Sequence, residues 1–159
     1  MNDNITFHSL YKRYAKDVYR FCYWLSGDKA EAEDLVSETF VKLLTSKKDP
    51  QTETVKAYLF TIARNLYLKN IERKKRFVSL DKDIIDDSKQ PQKVAEIAST
   101  FKHVFQVIKK LPEIDRTVLI MKAENDMSYN EIARITGLTI AAIKVKVFRA
   151  RKKINEYLG

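Results

Sequence analysis

Lysine and arginine crowd one short stretch near the C-terminus: Lys144, Lys146, Arg149, Arg151, Lys152 and Lys153. Ammonium and guanidinium groups gathered this way hold polyanions rather than break bonds. Nothing else in the chain supplies a reaction. His8 and His103 have no partner at metal-ligand or triad spacing. No metal, cofactor or small-molecule substrate is therefore expected, and the chain does not read as an enzyme. The single cysteine, Cys22, lies in the apolar run V-Y-R-F-C-Y-W-L. It reads as a small buried hydrophobe rather than a reactive thiol.

The residues just before the basic stretch show what positions it. Ser128 and Glu131 have the spacing of a capping box at a helix start. Ile132 and Ile135 turn inward, and Ala133 is small enough for a close helix crossing. Gly137 permits a left-handed turn, and Leu138 fills the corner. Thr139 caps a second helix whose inner face is Ile143 and Val147. This is the pattern of a helix-turn-helix, whose second helix lies in the major groove of DNA. The early outward positions Ile140, Ala141, Lys144 and Val145 are the candidates for base readout. Arg149 and Lys152 suit phosphate, and Thr139 and Lys146 complete the candidate set. Engaging all the cations at once would give a log–log salt slope of about −5, an upper bound. The competing reading is an ordinary helical hairpin with a solvated basic face. The caps, Ala133, Gly137 and the apolar positions, all in register, favour DNA.

Composition sets the frame. With 159 residues, 45% of them hydrophobic, the chain can build a core in one domain or two small ones. Three Gly and three Pro are too few for an all-β fold, so an all-α fold is expected. The net charge of +9 points to nucleic acid or anionic lipid. No apolar run approaches membrane-spanning length, and the N-terminus lacks the pattern of a secretory signal. A cytoplasmic location without direct membrane insertion is the expectation.

Helical periodicity divides the rest. Phe7, Leu10, Tyr11, Tyr14, Val18, Phe21 and Leu25 mark a first helix, stopped at Ser26-Gly27-Asp28. A second starts near Lys29 and carries Leu35, Val36, Thr39, Phe40, Leu43 and Leu44 on one side. After a polar loop broken by Pro50, a third carries Val55, Leu59, Ile62, Ala63, Leu66 and Ile71 and ends in Arg73-Lys74-Lys75-Arg76. An acidic, polar stretch with Pro91 then reads as a linker. Beyond it, Ile97, Phe101, Val104, Phe105, Ile108 and Leu111 form a helix face, and Pro112 at N1 opens the next helix. The expected architecture is two small helical domains joined by a flexible linker, the second containing the helix-turn-helix. The boundaries are 1–76, 77–95 and 96–159.

Two further segments narrow the class. A-E-D-L-V-S-E-T-F-V-K-L-L (Ala32–Leu44) resembles region 2.2 of bacterial RNA polymerase sigma factors of the extracytoplasmic function (ECF) group. K-A-Y-L-F-T-I-A-R-N-L-Y-L-K-N (Lys56–Asn70) resembles their regions 2.3 and 2.4, and the C-terminal block resembles region 4. The resemblance spans nearly the whole chain outside the linker, with its motifs in family order. It implies a dissociable subunit that directs core RNA polymerase to promoter DNA.

It also implies roles. Asp34, Leu35, Ser37, Glu38 and Phe40 would meet the clamp helices of the polymerase β′ subunit, although Leu35 and Phe40 read equally as core. Tyr58, Phe60, Arg64, Asn65, Tyr67, Lys69, Asn70 and Arg73 would recognise and open the −10 element, helped by the loop Ser46–Glu53. Simple packing competes for Tyr58 and Phe60. Region 4 would read the −35 element and touch the polymerase β flap. An anti-sigma factor would hold the chain inactive, in some cases at the membrane. The acidic Asp81, Asp83, Asp86 and Asp87 could screen the basic faces of the free protein.

The chain departs from the family in three places. Ala142-Ile143-Lys144-Val145-Lys146-Val147 stands where T-V-K-S-R-L is common, Lys69-Asn70 where Asp-His is common, and Tyr58 where Trp is usual. These changes bear on which promoter is read. The alternative function is a free-standing helix-turn-helix regulator, which would leave the first two motifs unexplained.

Overall fold

A computed structural model describes residues 6–45, 55–80 and 96–158. Its elements are all helices: α1 Phe7–Ser26, α2 Lys29–Thr45, α3 Val55–Leu80, α4 Glu96–Lys109, α5 Glu113–Ala123, α6 Tyr129–Thr136 and α7 Ile140–Leu158. No strand occurs among the described residues. The loop Ser46–Glu53 and the acids Asp81, Asp83, Asp86 and Asp87 lie outside them.

Local chemistry sets the ends. Thr6 and Ser9 exchange hydrogen bonds in a capping box that opens α1. Gly27 closes α1 in the left-handed region at φ 73°, and its N–H donates to the Tyr23 carbonyl. Asp28 then accepts from the Glu31 N–H and starts α2. Pro112 is the N-cap of α5, one position before the expected N1. The third helix does not end at Arg76. Phe77-Val78-Ser79-Leu80 contains neither glycine nor proline, and the helix runs on to Leu80.

The first unit stacks α1, α2 and α3. Val18, Phe21, Cys22 and Leu25 meet Ala32, Leu35, Val36 and Phe40 and then Leu59, Phe60 and Ala63, all buried. The Phe21 and Phe60 rings lie 4.7 Å apart. Cys22 has no partner sulfur, and burial, aided by Glu31, pushes its thiol up to about 12. Leu44 departs from the expected inward face and lies exposed near the end of α2. In the second unit α4 to α7 enclose Ile108, Leu111, Val118, Met121, Met127, Ile132, Ile143 and Val147. Val107, outside the expected stripe of α4, is also buried.

The two units share one continuous buried cluster. An aromatic seam joins them: Tyr23 and Phe101 stack at 4.7 Å, Trp24 packs on Phe101 at 4.5 Å, and Phe101 stacks on Phe105. Phe105 lies against Gly27, where any Cβ would run into its ring. The turn after α5 reaches the same side. Asn125 donates to the Asp17 carbonyl, and Lys56 donates to the Asn125 carbonyl.

Candidate nucleic-acid interfaces

The C-terminal site is built as its spacing predicts. The Ser128 hydroxyl accepts from the Glu131 N–H, and the Glu131 carboxylate accepts from the Ser128 N–H. Gly137 ends α6 at φ 79°. Thr139 accepts from the Ala142 N–H and opens α7. Ile143, Val147 and Ala150 bury one face of α7. With 3.6 residues per turn, the opposite face carries Ala141, Val145, Phe148 and Lys152, all exposed, with Arg149 beside them.

That outward face is apolar at its centre and cationic at its margins. Phe148 is 67% exposed and had no place in the sequence-based set, although it follows Ala141 and Val145 at helical spacing. Phenylalanine and small apolar groups on a groove-facing helix suit thymine methyls. Ile140 and Lys144 flank this face, both exposed. The Lys144 ammonium lies 5.3 Å from the Tyr129 ring centre, which Lys122 approaches at 4.4 Å from α5. Lys146 is placed differently from its expected role. It is half-buried and pairs with Asp115 at 3.1 Å, so it is committed to holding α7 on α5. Arg149, Arg151, Lys152 and Lys153 stay exposed.

In the N-terminal unit the expected residues separate by face. Asn65, Lys69 and Arg73 recur every fourth residue and form an exposed stripe on α3. Phe60 is fully buried, so packing, not base contact, is its place here. Tyr58 is half-buried and engaged in an interaction. The Asn70 amide approaches Glu31 at 3.5 Å, and Lys74 pairs with the same carboxylate at 2.8 Å.

Arg64 and Tyr67 face the second unit. Arg64 meets Glu113 through two hydrogen bonds, Nε to Oε2 at 3.3 Å and Nη2 to Oε1 at 3.1 Å. Thr117 aims that carboxylate by donating to Oε2 at 2.7 Å. The buried Tyr67 hydroxyl donates to the Leu25 carbonyl and accepts from Arg116. Burial raises its phenol pKa, while Arg116 pulls the other way.

On α2, Asp34, Ser37 and Glu38 are exposed on one face. Leu35 and Phe40 belong to the core, because they point between α1 and α3. The face with the acids also carries exposed Val41, an apolar member that the motif comparison passed over. Near it, the half-exposed Phe7 and Tyr11 pack edge-on against Phe40.

Comparison with known proteins places both halves. Residues 10–77 match the family Sigma-70 region 2, and residues 104–154 match Sigma-70, region 4. The chain is 33% identical to the ECF RNA polymerase sigma factor EcfG of Rhodopseudomonas palustris, over 87% of this chain and 77% of that one. It is 29% identical to the ECF RNA polymerase sigma factor SigM of Bacillus subtilis, over 95% and 94% of the two chains. Its fold resembles the sigma factor RpoE of Bartonella quintana, solved with the anti-sigma factor NepR. The TM-score is 0.82 at 25% identity, over 96% of each chain. CnrH, solved with the cytosolic domain of CnrY, shares the fold at a TM-score of 0.73 and 21% identity, over 99% of this chain and 90% of that one. The chain belongs to the ECF group of RNA polymerase sigma factors.

Proposed function

We propose that the chain is a two-part promoter reader that acts when bound to core RNA polymerase. The observation that carries this is the outward face of α7, set on a fully capped helix-turn-helix at one end of a chain whose other end belongs to Sigma-70 region 2. Residues 1–76 form the −10 and polymerase-binding part, 77–95 the connection and 96–159 the −35 part. Ala141, Lys144, Val145 and Phe148 read base edges, and Arg149 and Lys152 hold phosphate.

On α3, Asn65, Lys69 and Arg73 meet the opened −10 strand first, joined by Arg64, Tyr67 and Asn70. The acids Asp34 and Glu38, with Ser37 and Val41, dock on the β′ clamp helices. Leu35 and Phe40 support that face from within. An anti-sigma factor holds the chain in reserve, a reading supported by the likeness to RpoE, itself solved with such a partner. No described helix is long and apolar enough to cross a membrane.

The test is reconstitution with core polymerase on genomic fragments. The expected outcome is initiation at a small set of promoters, with thymines near −10 becoming reactive to permanganate. Asp34→Ala with Glu38→Ala should abolish core binding without unfolding the chain. A stable dimer that binds palindromic duplex tightly without polymerase, and gives no initiation with it, would overturn the proposal in favour of a free-standing regulator.

A further inference from the structure

Arg64 is half-buried at the seam between the units and holds a carboxylate in fork-to-fork geometry through Nε and Nη2. That geometry fits a carboxylate and a phosphate equally well. Glu113 is not there by accident of a long side chain, because Thr117, itself fully buried, orients it. One turn further along α3, the α5 residue Arg116 holds the Tyr67 hydroxyl. Glu113 and Arg116, from the first turns of α5, therefore engage Arg64 and Tyr67 while α6 packs on α3, and Asn65, Lys69 and Arg73 stay exposed.

The seam is also imperfect. Arg116 Nε and Asn125 Oδ1 are buried, with no hydrogen-bond partner among the described residues. Parting the units would return both atoms to water.

We infer that Glu113 is an exchangeable occupant of Arg64. In the closed chain its carboxylate takes the bidentate place that a backbone phosphate of opened DNA takes once α5 withdraws. The second unit thus restrains the first by lending it an internal anion, and single-stranded DNA competes with Glu113 for one guanidinium. This deepens the proposed function and rests on its reading that α3 meets the opened strand.

The experiment uses the full chain without polymerase and a pool of short single-stranded DNA of random sequence, followed by fluorescence anisotropy across a salt series. Glu113→Gln should bind several-fold more tightly at low salt, with a log–log slope steeper by about 0.7, the contribution of one added phosphate contact. Asp126→Asn removes the same charge at an exposed turn away from Arg64 and sets the background. Adding Arg64→Ala to Glu113→Gln should return slope and affinity to that background. Thr117→Val, which removes the aiming hydroxyl and keeps the shape, should move binding the same way by less. It serves as the second variant if Glu113→Gln folds poorly.

Emission from Trp24, which touches Phe101 across the seam, should shift when single-stranded DNA is added, and more readily in Glu113→Gln. In a reconstituted polymerase complex, Arg64→Ala should weaken promoter opening. If Arg64→Ala leaves opening intact, the −10 role of Arg64 falls. If it weakens opening while Glu113→Gln and Thr117→Val both leave free-chain binding at background, the exchange is overturned and that role stands.

Discussion

The two units differ in how far their candidate reading surfaces are free: that of α7 is wholly exposed, that of α3 only in part. In the C-terminal unit the reading face of α7 points away from the rest of the protein, with Val145, Phe148 and Lys152 exposed. In the N-terminal unit two of the candidate residues, Arg64 and Tyr67, point at α5 and are held there. The contrast teaches that the chain holds one candidate reading face fully exposed and another partly engaged with itself. It also explains why one helix-turn-helix carries the full signal of its partner, while the N-terminal motif mixes readers with core.

The comparison can be tested first at its foundations. Leu35→Ala should destabilise the chain by about 2–5 kcal/mol, since the side chain is fully buried between three helices. Val145→Ala should change stability by no more than about 0.5 kcal/mol, as expected of an exposed position. Urea denaturation of both variants would decide. Equal losses would mean that α7 is packed on both faces, and the contrast would collapse.

The two left-handed glycines sharpen it. Gly27→Ala and Gly137→Ala each place a Cβ where φ is positive, at about 1 kcal/mol. At Gly137 the Cβ would meet open space, whereas at Gly27 it meets the Phe105 ring of the other unit. Gly27→Ala should therefore lose a further 1–3 kcal/mol or so, from overpacking. A shift of Trp24 emission would show the strain released by opening the seam rather than by unfolding.

Alkaline pH should enter through the N-terminal unit. Cys22 titrates near 9 in ordinary surroundings and at about 12 in the folded chain. Its contribution to stability is complete below the ordinary value and declines as pH rises toward the folded one, by up to about 1.4 kcal/mol per pH unit. The raised phenols of Tyr67 and Tyr19 act in the same direction. Urea midpoints should fall above about pH 9, and less so in Cys22→Ala. Iodoacetamide should label Cys22 only slowly at neutral pH.

The smallest effects concern single charges. Lys152→Ala should flatten the salt dependence of polymerase-free duplex binding by about 0.9 log–log units, and Arg149→Ala likewise. Lys146→Ala should leave the slope unchanged, because its ammonium is committed to Asp115. Arg64→Ala should also leave it unchanged in the free chain.

Much of this was legible in the sequence because it is written locally. Capping pairs such as Ser128 with Glu131 and stops such as Gly27 and Gly137 involve neighbours along the chain. Helical spacing likewise announced the buried faces of α1 and α7. What escaped notice depends on contacts far apart in sequence. Nothing near Lys146 announces Asp115, and nothing near Arg64 announces Glu113. Phe60 and Leu35 were ambiguous for a related reason. A motif fixes which residues recur, whereas burial is decided by which helix lands on them. Phe148 and Val41 had a local signal of their own, since helical spacing places Phe148 with Ala141 and Val145, and Val41 with Asp34, Ser37 and Glu38.

The seam formed by Tyr23, Trp24, Phe101 and Phe105 has one more consequence. Its two sides belong to one polypeptide, in units joined by the stretch between Leu80 and Glu96. Such tethering gives each side a local concentration in the millimolar range. Surfaces that would hardly associate as separate molecules can then stay closed most of the time. A closure of that strength would resist stray encounters, yet would yield to a partner that engages both units at once.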